Sequence, residues 1–115
     1  MPLRVVCSLV AAIAVLATCG CARGGRDAGS AASRQFKETA LRHGEKIFAR
    51  ECAACHGTQG TGGPIGPSLK NERARRSYSA IRAIVSDPQP PMPKLYPSRL
   101  TANEVKDVSA YVDSL

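Results

Sequence analysis

Apolar positions from residue 36 to the end of the chain follow a helical period in three stretches. The predicted helices cover about 37–52, about 77–87, and a final segment for which Thr101 is the N-cap. Glu104 follows Thr101 by three residues, which is the spacing of a capping box. The apolar stripes of the three predicted helices are, in chain order, Leu41, Ile47 and Phe48; Tyr78, Ile81, Ile84 and Val85; and Val105, Val108, Tyr111, Val112 and Leu115. No stretch alternates long enough to indicate a strand, so the sequence predicts an all-α domain.

Two irregular segments separate these helices. Residues 57–66 contain five glycines and one proline, which is typical of a loop. Residues 88–97 contain five prolines, with Met92 in the middle, and indicate a stiff extended segment. Gly44 lies inside the first predicted helix, where a glycine costs about 1 kcal/mol relative to alanine. Its presence there predicts the close approach of another helix.

The first 18 residues have the pattern of a secretory signal peptide. Arg4 precedes an apolar run over 5–17, which is short for a membrane span but typical of a signal h-region. An uncleaved signal anchor is the alternative interpretation. The sequence therefore predicts a signal peptide at 1–18 and export to the periplasm.

Two cysteines follow this signal directly. The sequence LATC ending at Cys19 resembles a bacterial lipoprotein processing site, which predicts lipidation of Cys19 and anchoring to a bacterial membrane. Cys21 is a second candidate for the lipid, and ordinary cleavage after Ala22 with simple secretion is a third possibility. Residues 19–35 are rich in Gly, Ala, Ser and Arg and are predicted to form a flexible tether. The folded domain is predicted at 36–115.

The sequence Cys52-Ala-Ala-Cys55-His56 admits three interpretations. A thioredoxin-like dithiol is expected beside a βαβ pattern, and the sequence has no such pattern. A zinc site needs four ligands. Outside the signal region only His43 is available to join the three in this motif, so the number of ligands disfavours zinc. A c-type haem fits every part, because two cysteines three positions apart form thioethers with the porphyrin and the next histidine ligates the iron. The motif therefore predicts one covalently attached haem c.

Met92 is the only methionine besides Met1 and is the predicted sixth ligand of the iron. Ligation by His56 and Met92 closes both axial positions and raises the reduction potential, which favours electron transfer. Prolines on both sides of Met92 would hold its thioether in place. The alternatives are that Met92 is a loop or core residue, or that His43 is the distal ligand, although His43 lies on the same helix as the attachment motif.

Residues 36–115 resemble the class I cytochrome c family. The spacing of Gly44 and Phe48 to the attachment motif is similar to that in the family's N-terminal helix, and PPMP is similar to its axial-methionine loop. Gly66-Pro67-Ser68-Leu69 is similar to the family's Gly-Pro-x-Leu segment, in which the proline carbonyl accepts the Nδ1 proton of the ligating histidine. The resemblance implies a cytochrome c fold of three to four helices wrapped around one covalently bound haem.

The resemblance also implies how the terminal helices meet. Val108 and Tyr111 match the positions at which the family's C-terminal helix crosses the N-terminal one. That crossing supplies a reason for Gly44, since glycine lets an aromatic ring approach the helix backbone. The chain has no tryptophan to bind a haem propionate, and the candidates to replace it are Arg73, Arg75, Arg76, Tyr78 and Lys94.

The implied function is that of a one-electron carrier, and not of an enzyme. A cytochrome subunit of a dehydrogenase or oxidase complex and a haem-based gas sensor or peroxidase are the alternatives.

The formal net charge is +7, and removal of residues 1–18 takes away Arg4 alone and leaves +6. A cluster formed by Lys70, Arg73, Arg75 and Arg76 predicts docking to redox partners with acidic surfaces, or is a solvated helix end. Nucleic-acid binding is excluded, because no such motif is present and the chain is predicted to be exported.

Overall fold

The computed structural model describes residues 24–115, with side chains from residue 29 onward. The predicted signal peptide at 1–18 and the predicted lipidation of Cys19 or Cys21 lie outside the described residues. The described part contains four α-helices: α1 (Gly24–Glu51), α2 (Ala53–His56), α3 (Tyr78–Ser86) and α4 (Ala102–Ser114). Two single 3₁₀ turns, Thr58–Gly60 and Glu72–Ala74, lie in the connections. Every regular element between residues 24 and 115 is helical, as the sequence predicts.

Helix α1 begins at Gly24 and not at about residue 37, so it includes most of the segment that the sequence predicts as a flexible tether. Residues 29–39 are all exposed, and the Phe36 ring is 78% exposed. Local bonds such as that from Ser33 Oγ to the Gly29 carbonyl oxygen (2.9 Å) accompany this part of the helix. Once a helix is nucleated, each further residue adds one hydrogen bond. The polar half of α1 therefore continues the helix that its packed half has nucleated. The division of the chain into a tether and a domain stays a prediction.

The hydrophobic core lies where α1 and α4 cross. Ile47 and Phe48 on α1 pack against the valines of α4, and Ile81 of α3 closes the cluster. The rings of Phe48 and Tyr111 meet with centroids 5.4 Å apart and planes tilted by 55°. This arrangement is favourable for two aromatic rings and stabilises the packing of α1 against α4.

Gly44 lies at the same crossing. A Cβ on Gly44 would overlap the backbone carbonyl oxygen of Asp107 and lie 2.9 Å from Cβ of Tyr111. The predicted close approach is therefore present, and the α4 backbone takes part in it as well as the aromatic residue. His43 Nδ1 and Asp107 Oδ2, 2.7 Å apart, form a polar contact beside the glycine.

Local capping signals determine where α3 and α4 begin. Ser77 Oγ accepts a hydrogen bond from the Ala80 amide (3.3 Å) at the start of α3. The predicted capping box of α4 is complete, since Thr101 Oγ1 accepts from the Glu104 amide (3.2 Å) and the Glu104 carboxylate accepts from the Thr101 amide (2.9 Å).

None of the helices between residues 24 and 115 is both long and apolar enough to cross a bilayer.

Candidate haem-binding site

The cysteine motif forms a turn that continues directly from α1. The Cys52 amide bonds the Phe48 carbonyl oxygen (2.8 Å), and the amide of His56 bonds the Cys52 carbonyl oxygen (3.0 Å). Both thiols and the histidine thus belong to one hydrogen-bonded unit that starts from the buried Phe48. Within the described residues Cys52 and Cys55 are not joined by a disulfide.

The glycine-rich loop folds back onto this turn. The Gly62 amide bonds the His56 carbonyl oxygen (2.7 Å), and the Gly66 amide bonds the Cys55 carbonyl oxygen (2.9 Å). A Cβ on Gly66 would lie 2.7 Å from His56 Nδ1, which is closer than real Cβ contacts. Glycine is therefore required at 66 by space, because the loop backbone passes directly against the imidazole.

The loop orients the His56 ring. Nδ1 of His56 donates a hydrogen bond to the Pro67 carbonyl oxygen at 2.9 Å, which is the contact that the resemblance to class I cytochromes c implies. A carbonyl oxygen only accepts, so this bond fixes the proton on Nδ1 and leaves the lone pair of Nε2 for a metal. His56 is also buried. The ring is thereby held in one tautomer and one orientation.

Next to the histidine lies an open cavity of about 290 Å³, near the lower end of the size range of small-molecule sites. Its wall brings together all five residues that the sequence predicts to bind the haem, namely Cys52, Cys55, His56, Pro67 and Met92. Apolar side chains from α3, α4 and the loops form most of the rest, and they include Ile81, Ile84, Val85, Leu95, Val108 and Val112. Ile84 is 41% exposed because the stripe of α3 faces this cavity and not the core alone.

Met92 comes to the cavity from the proline-rich segment. Pro91 and Pro93, its neighbours, also lie in the cavity wall. The Met92 amide bonds the Gln89 carbonyl oxygen at 3.2 Å, which closes a turn around the methionine. Its side chain is half-buried. The thioether is thus presented by a short, sterically restricted turn.

Burial perturbs one of the two thiols. It raises the pKa of the Cys52 thiol to about 11, and the neighbouring Glu51 carboxylate and Cys55 add to the effect. At neutral pH the Cys52 sulfur is therefore protonated, which is its less nucleophilic form. No group of three or more His, Cys, Asp and Glu side chains that could hold a metal ion occurs between residues 24 and 115.

Two carboxylates in the cavity wall were not foreseen from the sequence. The Glu51 side chain, 6% exposed, lies between Arg50 Nε (2.8 Å) and Arg99 Nη2 (2.6 Å). Glu72 is buried and accepts hydrogen bonds from both Arg75 and Arg76. The spacing of Glu72 to the two arginines, three and four residues, is the sequence signal that marks it as their partner.

The residues around the cavity fit a covalently attached haem. The donors comprise two thiols for the porphyrin, one imidazole nitrogen held in the correct tautomer and one thioether sulfur, and most of the remaining wall is apolar. Cys52 and Cys55 would hold the macrocycle, and His56 and Met92 would ligate its iron. An all-α domain with this set of donors around one cavity has the character of a c-type cytochrome.

Comparison with known proteins identifies the family. The family model described as cytochrome C oxidase, cbb3-type, subunit III, matches residues 39–112. A cytochrome c-553-like protein of Synechocystis sp. (strain ATCC 27184 / PCC 6803 / Kazusa) is 42% identical over 73 residues, covering 63% of this chain and 66% of that protein. Cytochrome c6 of Cyanidium caldarium is 38% identical over 78 residues, covering 63% of this chain and 68% of that protein.

A third relative is longer. The cytochrome bc1 complex cytochrome c subunit of Corynebacterium diphtheriae is 34% identical over 76 residues, covering 62% of this chain but only 26% of that protein. The chain thus spans about two thirds of the cytochrome c-553-like relative and about a quarter of the bc1 subunit. No solved structure matches the chain significantly.

The chain belongs to this cytochrome c family and is a class I c-type cytochrome. The predictions of an all-α cytochrome c fold and of a covalently bound haem c with its iron are confirmed. The cytochrome c6 and c-553-like relatives are electron-transfer proteins and not enzymes, as the sequence predicts for this chain.

Proposed function

We propose that this protein is a periplasmic one-electron carrier in which His56 and Met92 ligate the iron of one haem c held by Cys52 and Cys55. The supporting observation is that both thiols, the imidazole and the thioether line one cavity. When bound, the haem iron accepts and releases one electron. With both axial positions taken by the protein, no iron position is left for a gas or a peroxide, which favours a carrier over a sensor or peroxidase.

The chain's own residues keep the two ligands in place. The Pro67 carbonyl oxygen, 2.9 Å from His56 Nδ1, makes the imidazole a better donor through Nε2. Prolines on both sides of Met92 restrict the backbone that carries the thioether. Ligands that move little between the two charge states keep the structural cost of electron transfer small.

The ligand assignment is tested by optical spectroscopy on protein matured with haem c. We expect the parent protein to show a sulfur-to-ferric-iron charge-transfer band and to bind carbon monoxide slowly when reduced. Met92→Ala should lose the band and bind carbon monoxide rapidly. His43→Ala is the matched control, because His43 is the other histidine, half-exposed and paired with Asp107. A Met92→Ala spectrum equal to that of the parent, or rapid carbon monoxide binding by the parent, would contradict the proposal.

A second candidate function is that of a cytochrome c subunit of a membrane or periplasmic dehydrogenase or oxidase complex. It is favoured by the description of the matching family model and by the similarity to a bc1 complex subunit. Such a subunit would co-purify with its complex under mild conditions, whereas a free carrier would elute alone at the mass of a single chain.

We further propose that the protein is exported and anchored to a bacterial membrane through a lipid on Cys19, with Cys21 as the alternative. The apolar run and the LATC sequence support this proposal. The mass of the intact N-terminus distinguishes the two cysteines, since a lipid on Cys19 disappears in Cys19→Ala and persists in Cys21→Ala. A mature N-terminus without any lipid would leave simple secretion.

The proposed partners are redox proteins with acidic docking surfaces. The formal net charge of +7 supports this choice, because a cationic protein is steered towards an anionic surface. The open cavity mouth, where Ile65 is 65% exposed, is the place at which a partner would come close to the haem.

A further inference from the structure

A haem in this cavity brings two propionates, and each needs a partner in the protein or contact with water. A carboxylate that loses its water without a cationic or hydrogen-bonding partner is strongly disfavoured. The sequence leaves five candidate partners open, namely Arg73, Arg75, Arg76, Tyr78 and Lys94. All five are described, and of these Arg76 alone lies in the cavity wall. It is also the only lysine or arginine in that wall within residues 24–115.

The other candidates are engaged elsewhere. Arg73 Nη2 lies 3.1 Å from Asp113 Oδ2, and Lys94 Nζ lies 2.6 Å from Asp87 Oδ1. Tyr78 donates its hydroxyl proton to the Lys106 carbonyl oxygen at 3.3 Å. None of these three side chains lies in the cavity wall.

Arg76 is held at the cavity by a buried carboxylate. Its Nη1 donates to Oε1 of Glu72, whose side chain is only 5% exposed and which also lies in the cavity wall. The second oxygen of Glu72 accepts from Arg75. A guanidinium has five N–H donors, and Nε and Nη2 of Arg76 form no hydrogen bond within the described residues. Since the side chain is 47% exposed, these donors remain accessible.

We propose that Arg76 binds a haem propionate and that Glu72 positions it for this role. Without Arg76, a propionate at this wall would meet the negative charge of Glu72 directly. With Arg76 between them, one guanidinium bonds two carboxylates, which is the geometry that its fork of donors suits. The proposal rests on the haem site described above and adds the residue that recognises the acidic edge of the haem.

The test compares holoproteins that each lose one positive charge. Arg76→Ala removes the proposed partner, whereas Arg75→Ala breaks a similar bond to Glu72 outside the cavity wall, and Arg73→Ala removes a surface charge of the same cluster. The reduction potential is measured from about pH 5 to about pH 8, the range in which a desolvated carboxyl group without a cationic partner takes up its proton. Arg76→Lys restores the charge without the bidentate donors.

We expect Arg76→Ala to shift the ferric-to-ferrous equilibrium three- to tenfold towards the ferric state, where tenfold corresponds to about 59 mV for one electron. Its potential should also fall more steeply with rising pH, because the unpaired propionate takes up a proton more readily and does so in the ferrous state. Arg76→Lys should recover most of the shift. Arg75→Ala and Arg73→Ala should keep the parent's pH profile, because neither arginine lies in the cavity wall, where the propionate would lie.

A pH profile of Arg76→Ala identical to that of the parent would overturn the proposal, as would an equal change in Arg75→Ala. If Arg76→Ala does not mature with haem, Arg76→Gln is compared with Arg75→Gln in the same way. The optical spectrum separates this inference from the ligand assignment. A parent without the sulfur-to-iron band refutes Met92 ligation, while unchanged potentials refute only the role of Arg76.

Discussion

Replacement of Gly44 by alanine tests the helix crossing on which the fold depends. The added Cβ would overlap the Asp107 carbonyl oxygen, which is backbone and not the end of a flexible side chain. It would also lie 2.9 Å from Cβ of Tyr111. The substitution therefore forces α4 away from α1, and we predict that Gly44→Ala destabilises the folded domain.

The magnitude follows from one stabilising and two destabilising contributions. Alanine is favoured over glycine in a helix by about 1 kcal/mol, which stabilises the variant. Overpacking that displaces backbone costs up to about 3 kcal/mol, and occasionally more. The displacement would also loosen the contact between Phe48 and Tyr111, at a further cost of about 0.5 kcal/mol or more. The free energy of unfolding should therefore fall by about 2 kcal/mol.

Gly29 provides the matched control on the same helix. A Cβ at Gly29 would meet nothing within 4 Å, so Gly29→Ala should leave stability unchanged or raise it by up to about 1 kcal/mol. Both holoproteins are unfolded with guanidinium chloride and followed by circular dichroism. The reasoning is refuted if Gly44→Ala is as stable as the parent, or if the two substitutions change the free energy of unfolding in the same direction.

Two further predictions concern the site. Gly66→Ala places a Cβ 2.7 Å from His56 Nδ1, so the imidazole must shift. We expect a changed reduction potential and a loss of about 1–3 kcal/mol in the free energy of unfolding. An unaltered potential would count against this contact. Burial acts to raise the pKa of the Glu72 carboxyl, but hydrogen bonds from Arg75 and Arg76 outweigh it, so the pKa is lowered. The stability that this carboxylate provides is present above its unfolded pKa of about 4.3 and is lost as the pH falls through the lower folded value. Glu72→Gln should therefore destabilise the protein at about pH 7 but little at about pH 2 in denaturant titrations, and an equal loss at both would contradict the pKa argument.

The starts of α3 and α4 were predictable because the signals that set them are local. Thr101 and Glu104 carry both halves of a capping box within four residues, and the box forms as the spacing predicts. Ser77 caps α3 with its own hydroxyl group in the same way, although α3 was predicted from its apolar period and not from this cap. Hydrogen bonds between neighbours in sequence depend little on the rest of the fold, so sequence alone identifies them.

The start of α1 was not predictable from apolar periodicity. Residues 29–39 have no buried face, and a period of apolar positions exists only where a helix packs. The extension to Gly24 continues a helix already nucleated around Ile47 and Phe48. Periodicity therefore locates the packed part of a helix, and its unpacked continuation has to be found from the structure.

The site shows the same division between local and distant information. The cysteine motif and Gly66-Pro67 were recognisable because each is a short segment with fixed chemistry. Met92 was predicted as the sixth ligand because it is the only methionine after Met1. The fold brings it to the cavity that the cysteine motif also lines. The burial of Glu51 and Glu72 was not predictable, because a carboxylate is normally exposed unless its partners are known.

The cationic cluster shows why counting charges in sequence overestimates an electrostatic surface. Its four cations, Lys70, Arg73, Arg75 and Arg76, are offset by Glu72, which bonds two of them, and by Asp113, which pairs with Arg73. A partner at this surface therefore meets a smaller net charge than the sequence suggests. The buried Glu72 stays bonded to its two arginines, since a released carboxylate would be unpaired in the cavity wall. Steering of an acidic partner then depends on the net positive charge of the whole domain more than on this cluster.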